Sequence, residues 1–127
     1  MPAVLENTIE ISVHCRYAPE RSAPLKNLWF FIYRIRIHNV ATQSVRLLSR
    51  HWLITNAEGV VSEVYGAGVV GEQPLIAPGE AFEYTSACPL DSPFGMMRGN
   101  YTMIANDGTH FDVAIPSFSL SQPHALN

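Results

Sequence analysis

The feature that most constrains this chain is a strict two-residue alternation over residues 8–17. Ile9, Ile11, Val13, Cys15 and Tyr17 are apolar, while Thr8, Glu10, Ser12, His14 and Arg16 between them are polar. A period of two sorts these sets onto opposite faces of an extended strand, and a helix of 3.6 residues per turn would mix them. A loop with Pro19 and Pro24 follows, and prolines keep it out of a sheet.

The same pattern recurs along the chain. Over residues 27–39, Phe31, Tyr33, Ile35 and Ile37 are expected inside and Arg34, Arg36 and His38 outside. Residues 45–56 form the next strand, with Leu48, Arg50, Trp52 and Ile54 on one face. Asn56-Ala57-Glu58-Gly59 supplies a hairpin connection into a strand over 60–65. Later strands are expected over 81–88, 98–106 and 110–115, with Phe82 and Tyr84 opposed to Glu83 and a loop with two prolines over 89–95. Asn106-Asp107-Gly108 makes a tight turn, and Pro116 reduces the C-terminal residues to an edge segment or tail on which Phe118 and Leu120 can dock. No window of ten residues carries helical periodicity, and there is no internal repeat. Seven or eight short antiparallel strands without crossover helices predict an all-β, two-sheet sandwich.

With 127 residues, one domain covers 1–127, its core about 8–120 and both ends flexible. Hydrophobic content of 47% suffices for a core without metal or disulfides. A net charge of −3 opposes general nucleic-acid binding. The longest apolar run, residues 28–33, is too short for a bilayer, and the N-terminal residues lack the basic and apolar regions of a secretory signal. Cys15 and Cys88 are far apart in sequence; they read as free buried thiols of a reducing cytoplasm, the alternative being a disulfide between the two sheets.

One segment departs from plain strand grammar. Gly66-Ala67-Gly68-Val69-Val70-Gly71 has the spacing GxGxxG, but Glu72-Gln73-Pro74 comes directly after it, so no helix can begin there and a dinucleotide-binding unit is excluded. The glycines serve either bulges and close strand approach or a nest of backbone N–H groups for an anion. Glu72 would oppose an anion, so an arginine would have to supply charge; all the basic residues except Lys26 are arginines. Arg50, sharing strand parity with Trp52, needs a carboxylate or several carbonyls if buried, or else stacks at the sandwich rim.

Catalytic signals are missing. His14, His38, His51, His110 and His124 are scattered without metal-ligand spacing, and Arg16 and Arg36 beside the first two oppose a cation. Ser49, Ser86 and Cys88 sit in no nucleophile motif, and Glu80, Glu83, Asp107 and Asp112 fall at turns or solvent faces. Tyr101 reads either as an ordinary strand residue or as one whose hydroxyl ties a loop across the sheets.

Several strings together resemble the ApaG family. They are Leu47-Leu48-Ser49-Arg50-His51-Trp52-Leu53-Ile54-Thr55, the glycine segment through Pro74, Ala77-Pro78-Gly79-Glu80, Tyr84-Thr85-Ser86, Met97-Arg98-Gly99-Asn100-Tyr101 and Ile115-Pro116-Ser117-Phe118-Ser119-Leu120. The resemblance runs from about residue 8 to 120. It implies a fibronectin type III-like or immunoglobulin-like sandwich and a bacterial cytoplasmic protein whose genes often neighbour diadenosine tetraphosphate hydrolysis. It also carries a historical label of cobalt and magnesium efflux; with no membrane-spanning segment expected, any such effect would be indirect. Similar domains occur in eukaryotic F-box proteins and a polymerase-delta-interacting protein, which implies protein interaction.

The expectation is therefore a non-enzymatic protein-interaction domain without cofactor, metal or catalytic residues, a monomer or weak homodimer whose partner is an unknown protein. The alternative is a sensor of phosphate, pyrophosphate or a dinucleoside polyphosphate. The ligand-binding candidates are Gly66, Gly68, Gly71 and Arg50.

Overall fold

The computed structural model describes residues 5–123, so His124 and the residues beyond it lie outside the description. Eight strands run in chain order: β1 Ile9–Tyr17, β2 Trp29–Asn39, β3 Val45–Asn56, β4 Val61–Ala67, β5 Leu75–Ile76, β6 Ala81–Leu90, β7 Phe94–Ala105 and β8 His110–Ser121. The only helical pieces described are short 3-10 turns at Leu5–Thr8, Pro19–Arg21 and Pro24–Lys26. The strands form two antiparallel sheets, a three-stranded one in the order β1-β2-β6 and a five-stranded one in the order β4-β3-β7-β8, with β5 added to β3. The expected all-β sandwich is present.

Alternation places the core. Phe31, Tyr33, Ile35 and Ile37 are buried on the inner face of β2, and Arg34 and Arg36 are exposed on the other. Val45, Leu47, Trp52, Met97, Tyr101, Met103, Val113, Ile115 and Leu120 face them from the second sheet.

Five features differ from the sequence expectations, each for a local physical reason. The face assigned to Leu48, Arg50, Trp52 and Ile54 does not run the length of β3. A bulge between Leu47 and Ser49 inserts Leu48, so Val45 and Leu47 point inward before it and Trp52 after it. Pro89 does not begin a loop but lies within β6, which tolerates proline because it is an edge strand. β7 begins at Phe94, not Arg98. Pro116 is carried inside β8, another edge strand, and Leu120 is fully buried beyond it. The short pairing of Leu75 and Ile76 with Arg46 and Val45 carried no sequence signal.

Both cysteines are free, and topology keeps them so. Cys15 on β1 and Cys88 on β6 belong to one sheet, on either side of β2, so a bridge between the two sheets is unavailable. Two strand spacings, roughly 10 Å, exceed the reach of a disulfide.

The sandwich is closed on one side and open on the other. β8 packs along β1, and the Leu5–Thr8 turn rests on β8. On the opposite side the edges β4 and β6 flank cavities lined by residues of both.

Candidate functional site

The glycine segment and Arg50 meet at the open side. Arg50 is the register partner of Gly66 on β4 and Tyr101 on β7. Its Nη1 donates to the carbonyls of Ala67 at 3.0 Å and Gly68 at 2.9 Å. A Cβ at Gly66 would come within 2.9 Å of the guanidinium, so glycine leaves room for the arginine to lie across the strand. Of the two roles open to an inward arginine, bonding to carbonyls is the one found. The structure therefore gathers Arg50, Gly66 and Gly68, while Gly71 stands at the turn tip with open space around its α-carbon.

The amides of this turn are engaged by the fold. The Gly68 amide donates to the Leu48 carbonyl at 2.8 Å, and the Gln73 side chain donates to the same oxygen at 2.9 Å. Val69 and Glu72 exchange both backbone bonds, at 2.8 and 2.9 Å, closing a tight two-residue turn through Val70 and Gly71. The turn wraps the β3 bulge, whose displaced carbonyl it satisfies. Val70 takes a φ of 42°, a left-handed conformation unfavourable to a β-branched side chain, and remains exposed.

Beneath the turn lies a cleft of about 300 Å³ between the sheets, lined by Tyr33, Arg50, Trp52, Ile54, Val64 and Met97 and by Ser86 to Pro89 of β6. A second cavity of about 230 Å³ adjoins it, sharing Ile54 and Pro89 and ending at Asp91. Trp52 is 2% exposed, and its indole N–H is the buried side-chain polar group without a partner among the described residues. It packs edge-on against Phe118 and Tyr33, with ring centroids 5.9 and 5.7 Å away. The sequence places Trp52 on the face of Arg50 but does not single out Tyr33 and Ser86 as its neighbours. Their inward parity was the available signal; the pairing of faces across the sandwich was not.

Farther in, the Tyr101 and Tyr84 hydroxyls share a hydrogen bond. Tyr101 thus ties β7 to β6 through a strand tyrosine, without involving a loop. Burial pushes the Tyr84 and Tyr101 hydroxyls well above the ordinary tyrosine range and raises Tyr33 as well. Hydrogen bonds with Ser86 and Tyr101 pull Tyr33 and Tyr84, respectively, partly back, and Arg50 acts more weakly in the same direction on all three. Burial likewise pushes the Cys88 thiol up to about 11.

These acids are held neutral in the fold, so their contribution is complete below their unfolded values and is lost as pH rises above about 9. Stability should be flat between neutral pH and about pH 8, then fall by up to about 1.4 kcal/mol per pH unit for each group. Urea midpoints measured from pH 7 to 11 check this, and Tyr101→Phe should make the alkaline decline shallower. A midpoint that rises toward pH 10 would contradict the assignment.

Outside the cleft, the histidines are dispersed. His38 Nδ1 lies 3.0 Å from Glu10, and His51 Nε2 lies 3.1 Å from Glu63. His14 is the register partner of Arg34, and no group of three or more metal-ligating side chains forms among the described residues.

The ApaG domain family matches residues 19–105 of this chain. The Protein ApaG of Thiobacillus denitrificans is 51% identical over 119 residues, covering 94% of each chain. That of Paramagnetospirillum magneticum is 52% identical over 116 residues, covering 91% of this chain and 89% of the relative. A crystal structure of the putative ApaA protein from Bordetella pertussis superposes with a TM-score of 0.88 at 48% identity, covering 92% of this chain and 95% of that one.

Proposed function

The chain belongs to the ApaG family, and on that premise we propose that it is a non-enzymatic binding domain that docks an extended segment of a partner protein along β4. The observation that carries this reading is the character of β4. It is a seven-residue edge strand without proline or lysine, and among the described residues no strand neighbours its outer row of backbone N–H and C=O groups. Val61 is 51% and Tyr65 73% exposed, and Val60, Val64 and Val70 are exposed with them.

Edges of this kind are ordinarily blunted by charge, proline or a covering element. β6 and β8 carry Pro89 and Pro116, whereas β4 offers Glu63 alone. A strand added here gains backbone hydrogen bonds, with specificity from the apolar side chains it meets.

The interior favours binding over chemistry. Cys88 and the three tyrosines are held protonated at neutral pH, so none is an activated nucleophile. Phosphate capture by the glycine turn is less favoured, because the amides of Gly68, Val69 and Glu72 already have partners. A cytoplasmic site of action and an indirect link to cobalt and magnesium resistance, acting through the partner, belong to the same proposal.

A photo-crosslinking residue at Tyr65, with a control at exposed Thr85 on the other sheet, tests it in the native cell extract. The expected result is a discrete heterologous adduct from position 65 only, abolished by Val61→Lys, which charges the edge. Identical adducts from both positions, or only an adduct of the chain with itself, would overturn the reading.

A further inference from the structure

We propose that the cleft beneath the glycine turn binds a small organic carboxylate carried on an apolar body. This site shares Val64 with β4 but is built mainly from β2, β3, β6 and β7, and it does not depend on partner docking at the β4 edge.

The charge of Arg50 is the starting point. Its position after the bulge turns it to the inner face with Trp52, where it is half-buried and bonded to carbonyls that satisfy N–H groups but carry no opposite charge. Among the described residues it has no ion pair, and both its hydrogen bonds leave from Nη1 to neutral carbonyls. Nη2 and Nε therefore retain N–H groups in the fork geometry that suits a carboxylate.

The remainder of the cleft supplies what a carboxylate-bearing molecule needs. Tyr33 and Ser86 bring hydroxyls, and Trp52, Ile54, Val64 and Met97 bring apolar surface. A volume of about 300 Å³ lies within the range of small-molecule sites. Polarity sets one orientation. Asp91 ends the adjoining cavity and repels an anion, so the carboxylate belongs at Arg50 and the apolar body runs toward Ile54 and Pro89.

The molecule is testable with phenylacetate as a probe, titrated into the full chain and followed by 15N-resolved NMR. The Trp52 indole and the Ser86 and Cys88 amides should shift saturably, with half-saturation at about 10 mM or below. The Trp29 indole, which donates to Gln122 at 3.0 Å outside the cleft, should stay still.

Uncharged 2-phenylethanol should bind at least about tenfold more weakly in the same protein, and acetate should give no saturation in that range. Arg50→Met should abolish the response, and Arg50→Lys, which keeps the charge, should retain part of it. The acid–alcohol comparison in the unaltered chain stands even if Arg50→Met fails to fold. No saturable shift with phenylacetate, or equal shifts from acid and alcohol, would overturn the proposal. So would tighter binding of the capped peptide acetyl-Ala-Glu-Ala-amide, which would assign the carboxylate to a protein side chain.

Discussion

Gly99→Ala is expected to cost about 3 kcal/mol or more of folding stability, lowering Tm by roughly 10 °C. Gly99 lies in β7, the strand between β3 and β8, and is the register partner of Trp52. A Cβ there would stand 2.0 Å from the carbonyl oxygen of His51 and 3.2 Å from the α-carbon of Trp52. Both atoms are backbone, so relief requires β3 and β7 to separate where the β7–β8 register also shifts, between Met97 and Gly99. Separation would move Trp52 and Arg50 together and distort the cleft they line. Thermal unfolding by circular dichroism checks the stability loss, and a Tm within about 2 °C of the parent would refute the close approach.

Gly68→Ala and Gly71→Ala should part company. Gly68 has a φ of 61°, and a Cβ on it would fall 2.2 Å from the backbone oxygen of Glu72. That oxygen accepts the Val69 amide, so the clash opens the turn and withdraws the carbonyl that Arg50 holds. The expected cost is about 3 kcal/mol, combining left-handed strain with displaced backbone. Gly71, with a φ of 83° and nothing within 4 Å, should lose only about 1 kcal/mol. Denaturant midpoints measure the difference. Were the glycines there for an anion's approach alone, the two substitutions would be equally mild in stability and equally damaging to binding.

This contrast shows how far the sequence could be read at the glycine segment. The rejection of a dinucleotide motif rests on Glu72-Gln73-Pro74, a local signal against a helix, and the chain indeed passes into a short strand. The choice between a nest and an architectural turn rested on where each amide points. For Gly68 the answer is the Leu48 carbonyl, 20 residues upstream and displaced by a bulge. Nothing in the string around residue 68 encodes that partner. Arg50 is similar: its inward parity was legible, but its carbonyl partners became visible only once β4 lay beside β3.

The β4 edge shows the same division. Residues 60–65 read correctly as a strand beginning close to Val61, and the turn at Gly59, with a φ of 82°, is where the sequence placed it. That β4 lies at the end of a sheet, with its exposed valines and Tyr65 along an open edge, depends on strand order.

The sequence by itself therefore determined the all-β class, the inner residues of β2 and the main turns, because alternation and turn chemistry act within a few residues. Its family resemblance identified the sandwich type. Only the tertiary structure decided that β1 and β8 close one side while β4 and β6 leave the other open, that Leu48 bulges, and that Arg50, Trp52, Tyr33 and Ser86 share a cleft. Those outcomes depend on non-local pairing and on packing between faces far apart in the chain. A two-residue period tells each strand which side is apolar, but not which strand it will meet.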